Sequence, residues 1–145
     1  MSEKGIERRF CQRFRIEGAT ISYQNMKLLR FMMKVDEEDC PVIDLTRGGI
    51  RFLNQKPLKF NSKVSLQLFT PGERIPLGLK GRVRWSIANA GKSYRYQAAV
   101  QFNAYGLERN QNATHLLDRL VALEQKFVEP GGHDSLGIPS EFDAR

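Results

Sequence analysis

The chain has 145 residues, 41% of them hydrophobic and 27% charged, with a formal net charge of +7. This is the composition of one soluble globular domain, long enough to bury a core without disulfide or metal staples. Arg30, Lys34 and Arg84 interrupt the longest apolar runs well short of a membrane span, and the polar start, bearing Arg and Glu, is not a secretion signal, so a cytoplasmic protein is expected.

The charge is uneven. Residues 128–145 carry −3 of the overall +7, which leaves +10 on residues 1–127. A basic body suits an anionic partner: nucleic acid, acidic lipid or a phosphorylated small molecule. General solubility accounts for the charge equally well.

In chain order, residues 1–12 show no apolar periodicity, so residues 1–13 read as a flexible basic arm and residues 14–127 as the folded domain. A first strand is expected over about 14–24, with Ala19, Ile21 and Tyr23 on one face. A second is expected where Leu29, Phe31, Met33 and Val35 alternate with Arg30, Met32 and Lys34. The acidic run Asp36-Glu37-Glu38-Asp39 reads as a solvated turn; it lacks the glycine and distal glutamate of a calcium loop. Residues 40–45 and 49–54 read as two strands around a Thr46-Arg47-Gly48 turn. Val64, Leu66 and Leu68 mark another strand, closed by Pro71-Gly72. Residues 77–87 form a long strand, with Val83, Trp85 and Ile87 expected on one face. Ala98, Val100 and Phe102, alternating with Gln97 and Gln101, complete the series.

Six or seven short antiparallel strands suggest a small barrel or sandwich, and closure would remove exposed edges. The period then changes. Leu116, Leu120, Leu123 and Phe127, widened by Leu117 and Val121, define one amphipathic helix over about 109–127. Asn110, Asn112 and Thr114 are its candidate caps. The leucine stripe should cover the barrel or meet a second copy, so both monomer and homodimer are open. Pro130-Gly131-Gly132 ends the helix, and residues 128–145 read as a disordered tail.

Catalytic and metal chemistry find little support. Cys11 and Cys40 make neither a disulfide framework nor a zinc site, and His115 and His133 have no partner at ligand or triad spacing. With no paired catalytic carboxylates and no nucleophile beside a base, a binding protein without catalytic residues is expected.

Two short motifs carry the functional signal. Arg9-Phe10-Cys11-Gln12-Arg13 sets two guanidinium groups four positions apart, with Arg8 directly before them. The planar fork of arginine pairs with phosphate or with the Hoogsteen edge of guanine, and it stacks on rings. Asp44-Leu45-Thr46-Arg47-Gly48-Gly49 places a carboxylate at a strand end, a hydroxyl in the turn, and two glycines where side chains would block close approach. Asp44 could accept from a guanine edge or orient an arginine. The simpler alternative is a hairpin whose Asp and Thr bond their own backbone.

Together, in this order and about thirty residues apart, the motifs resemble those of the PilZ domain family of bacterial cyclic di-GMP receptors: an Arg-x-x-x-Arg arm followed by Asp/Asn-x-Ser-x-x-Gly on a small β-barrel. Arg9 and Arg13 match the first motif; Asp44, Thr46 and Gly49 match the second, with Thr46 keeping the hydroxyl but adding a methyl. The resemblance extends through the Arg82-Val83-Arg84-Trp85 run and the last helix, roughly residues 8–127. It implies a six- to seven-stranded PilZ-like split barrel with one C-terminal helix. It implies that Arg9 and Arg13 grip phosphate and guanine, that Asp44 and Thr46 read a guanine edge, and that Gly48 and Gly49 keep the turn and floor open. Arg8 before the first motif arginine implies an intercalated ligand dimer, two per chain. Trp85 is a candidate apolar wall, with a place in the core as the alternative. The ligand implied is cyclic di-GMP, with no cofactor. The resemblance also implies an output to an unidentified downstream protein in motility, exopolysaccharide production, attachment or virulence.

Two other readings compete. A single-stranded nucleic-acid-binding barrel could stack bases on Tyr94 and Tyr96, assumed exposed, but Asp44 in the site argues against a polyanion. A ligand-free adaptor of the same fold could act through the 116–127 helix.

Overall fold

The computed structural model describes residues 12–26, 35–91 and 93–128. Among these residues six strands run β1 (Thr20–Asn25), β2 (Glu37–Thr46), β3 (Gly49–Asn54), β4 (Lys63–Phe69), β5 (Leu77–Ala88) and β6 (Tyr96–Phe102), and one helix follows, α1 (Thr114–Phe127). The strands close into a barrel in the order β1-β2-β3-β6-β5-β4, every pair antiparallel.

Alternation drives the closure. Val64, Leu66 and Leu68 of β4, Leu77, Leu79 and Val83 of β5, and Ile50 and Phe52 of β3 all point inward and are buried. The α1 stripe joins the same core: Leu116, Leu120 and Leu123 are buried in it and Phe127 packs against it. Each fully buried leucine contributes roughly 1.5–3 kcal/mol. The stripe is thus covered within one chain.

Several elements differ from the sequence expectation. The first strand is split. Phe14 forms an isolated bridge to Leu45, a turn at Gly18 (φ +86) intervenes, and β1 starts at Thr20. Of the expected second strand, residues 27–34 lie outside the described residues and Val35 is exposed and not in a strand.

The acidic run is no solvated turn either, since Glu37, Glu38 and Asp39 open β2. The β1–β2 register shifts between Ile21 and Tyr23. Asp39 (φ 56) lies in the extra stretch on β2, in the left-handed region that aspartate tolerates better than most residues. The bulge brings Glu37 opposite Tyr23. Its carboxylate accepts from the Tyr23 hydroxyl, from Asn54 Nδ2 at 3.2 Å, and from the Gln55 and Lys56 backbone N–H groups at 2.9 and 3.1 Å. Burial, reinforced by Glu37, raises the Tyr23 phenol above its ordinary value. Burial first, then the charges of Glu37 and Asp39, push the nearby Cys40 thiol up to about 12.

The helix begins at Thr114 with Ala113 as its N-cap and no side-chain cap. Asn112, expected as a cap, is buried. Its Oδ1 accepts from Lys80 N at 2.8 Å, and its Nδ2 donates to Lys80 O and Asn103 O at 3.1 and 3.0 Å. Its side chain therefore clamps β5 to the segment after β6 and does not open the helix.

Candidate functional site

The site lies on the outside of the barrel, over β2, β3, β6 and β5. Two β-bulges decide which side chains face it. Val42 pairs with Phe52, but the next partners are Asp44 and Arg51, so Ile43 is the extra residue. On β5, Val83 pairs with Val100, but the next partners are Trp85 and Ala99, so Arg84 is extra. A side-chain period of two means that one inserted residue swaps the faces beyond it. Val83 therefore stays in the core, while Trp85 turns outward and is half-buried, and Ile87 is exposed. The expected common face of Val83, Trp85 and Ile87 is broken at this bulge.

The result is a row of outward residues crossing four strands, Asp44–Arg51–Ala99–Trp85, each opposite the next. The adjacent row is Thr46–Gly49–Gln101–Arg82. Small residues in the middle of both rows, Ala99 and Gly49, leave a concavity of about 380 Å³. Arg13, Asp44 and Arg51 lie along one side, and Trp85, Arg84 and Gln101 along the other.

Gly49 is required sterically. A Cβ there would stand 2.7 Å from the Val100 carbonyl oxygen, so any side chain would force β3 away from β6 at the cavity floor.

Asp44 organises the cationic side. Its carboxylate is buried and accepts from Arg51 Nε at 2.9 Å and from Arg51 Nη2, a two-pronged guanidinium–carboxylate pair. Arg13 Nη1 lies 3.5 Å from the same carboxylate. The neighbouring backbone explains why. Phe14 and Leu45 exchange two hydrogen bonds of 2.9 Å, so residues 13–15 run along the edge of β2 beyond β1. With Phe14 buried, Arg13 projects outward beside Asp44. Thr46 Oγ1 accepts from Gly48 N at 3.0 Å, a turn stabilised by its own side chain, and the same hydroxyl retains a proton to donate. The turn is braced from behind by Arg47 Nε, 2.8 Å from buried Glu124 of α1, and by the Tyr105 hydroxyl, which donates to Arg47 O at 2.7 Å.

The family model of the PilZ domain matches residues 7–122. The chain belongs to the PilZ domain family. PilZ domains are cyclic di-GMP-binding receptor and adaptor domains. Among solved structures, the chain is similar to the Bacillus subtilis inhibitor of motility (MotI/DgrA), with a TM-score of 0.51 at 16% identity, over 77% of this chain and 47% of that one. The chain thus spans about half the length of that protein, and at this identity the likeness is one of fold. No curated protein matches the chain.

Five of the motif residues meet at one PilZ cavity: Arg13, Asp44, Thr46, Gly48 and Gly49, with Trp85 facing them. Arg8 and Arg9 lie outside the described residues. Sequence reasoning did not single out Arg51, Arg84, Ala99 or Gln101, all of which line the cavity. Arg51 was within reach, since a charged residue between inward Ile50 and Phe52 shares the face of Gly49. Ala99 and Gln101 reach the cavity through the pairing of β6 with β3, and Arg84 through the β5 bulge, neither of which has a signature in this sequence. Tyr94 and Tyr96, assumed exposed for base stacking, are half-buried. Among the described residues no cluster of His, Cys, Asp or Glu could hold a metal, and no helix is long and apolar enough to cross a membrane.

Proposed function

We propose that this chain is a cytoplasmic, non-enzymatic receptor that binds cyclic di-GMP in the β2–β3–β6–β5 cavity and relays occupancy to a downstream protein. The carrying observation is that Arg13 and Arg51 gather at Asp44 on one side of a single concavity while Arg84 lines the other. Three guanidinium groups against one carboxylate leave +2, which matches the two phosphodiester charges of the ligand. Trp85 offers an apolar wall for a base. Arg51, fixed in place by Asp44, offers a preorganised donor fork, and Thr46 a hydroxyl. Arg8 and Arg9, four to five positions before Arg13, complete the cationic set by closing over the ligand. Ordering that arm costs about 1–2 kcal/mol of backbone entropy per residue, which several charge-assisted contacts of roughly 1.5–3 kcal/mol each can offset. The closed arm is the altered surface a partner reads. Two ligands stacked as an intercalated dimer would use the full cationic set.

Calorimetric titration with cyclic di-GMP tests this reading, scored for affinity and for a stoichiometry of two ligands per chain. Removing Arg13 should weaken binding by about ten-fold to over a hundred-fold. Absence of heat at high micromolar ligand, with the protein folded, rejects the proposal.

A further inference from the structure

Resting on that reading, we infer that Arg84 and Gln101 form a base-selecting pair, which favours guanine over adenine by presenting a donor-rich edge. Gln101 projects outward from β6 opposite Gly49, and because Gly49 has no side chain, the amide is open to the cavity. Arg84 is the residue displaced by the β5 bulge and stands opposite no residue of β6 in register. It reaches sideways instead, and its Nη1 donates to Gln101 Oε1 at 3.0 Å.

That hydrogen bond changes what the amide can recognise. Arginine has no acceptor, so the amide end facing it must be the oxygen. A glutamine with both ends available offers one acceptor and one donor pair, which fits N6–H and N7 of adenine. With Arg84 on one lone pair of Oε1 and its guanidinium standing on that side of the amide, the edge offered to the cavity is rich in donors, from Gln101 Nε2–H and the guanidinium N–H groups. The Hoogsteen edge of guanine presents two acceptors, O6 and N7, and matches this set; the N6 amino group of adenine opposes it. Both side chains are exposed and neither belongs to the core, so their removal tests recognition and not folding.

The test is titration of the full chain and its variants with cyclic di-GMP and cyclic di-AMP, with folding checked by thermal melting. The native protein should prefer cyclic di-GMP, and Arg84→Ala should erase about 5- to 150-fold of that preference, the span of one two-pronged base contact, by releasing the Gln101 acceptor. Gln101→Ala should lose affinity for cyclic di-GMP selectively. Gln101→Glu, an acceptor facing guanine acceptors, should lose most. An equal loss for both dinucleotides, or an unchanged ratio, would overturn the pair as a selector while leaving the receptor reading intact. Failure of the native chain to bind either dinucleotide would remove the receptor reading and the selector with it.

Discussion

Glu37 and Asp44 sit seven positions apart on the same strand, and both carboxylates are satisfied by the protein, yet in different currencies of interaction. Glu37 is held by neutral donors: a phenol, an amide and two backbone N–H groups. Asp44 is held by two guanidinium groups. Neutral donors bonded into strand ends and turns have nothing to offer a ligand, so the Glu37 cluster closes one end of the β2–β3 pair and ends there. Guanidinium groups carry five donors each, and a carboxylate engages only some of them. Asp44 therefore fixes the orientation of arginines, the side chains whose charge and donor geometry suit an anion. The same side-chain chemistry serves as a lock in one place and as a mount in the other.

Substitution separates the two roles, and the largest effect is expected at Asp44. Asp44→Ala strips the counter-charge from Arg51, which is only 7% exposed, and should cost about 3–5 kcal/mol in urea melts together with cyclic di-GMP binding. Adding Arg51→Met should recover much of that stability and none of the affinity. If the double variant binds like the native chain, Asp44 is no mount. Glu37→Ala should cost roughly 2–3 kcal/mol through donors left unpaired, and calorimetry should find its ligand affinity within about two-fold of native. Parallel losses of stability and binding there would erase the distinction. Gly49→Ala, with its 2.7 Å approach to Val100 O, should destabilise by about 1–3 kcal/mol and weaken binding, because the cavity floor moves.

Alkali sharpens the contrast from the Glu37 side. The Cys40 thiol ionises near 9.0 when unfolded and near about 12 when folded. The unfolded state therefore gains by losing its proton first, and stability present below pH 9 falls as pH rises toward 12. At pH 10 the loss is about 1.4 kcal/mol relative to pH 8, and Tyr23, shifted in the same direction, adds to it at higher pH. Cys40→Ala should abolish most of the loss at pH 10. A melt unchanged between pH 8 and pH 10 would show that the thiol ionises as easily inside the barrel as outside it.

Much of the barrel was legible because its signal is simple alternation: Val64, Leu66 and Leu68, or Ala98, Val100 and Phe102, announce their strands. The helix stripe was legible for the same reason at a different period. What alternation hides is its own interruption. The bulge at Asp39 draws an acidic run, which looks like a loop, into β2, and the bulge at Arg84 moves Trp85 from the core face to the cavity. Part of the candidate site was legible, since Asp44, Thr46, Gly48 and Gly49 fall within six consecutive positions and line one cavity. The Arg51 pairing, the Ala99 floor and the Arg84–Gln101 contact were not, because each depends on which strands are neighbours and in what register.

The bridge between Phe14 and Leu45 has a last consequence, for distance. It fixes the chain to the barrel one residue after Arg13, so the covalent length upstream is counted from that point. Four residues fully extended span at most about 14 Å, so the Arg9 Cα lies within that radius of the Arg13 Cα. Inserting residues between Phe14 and Ala19 would leave this bound as it is, whereas inserting them between Arg9 and Arg13 would widen it.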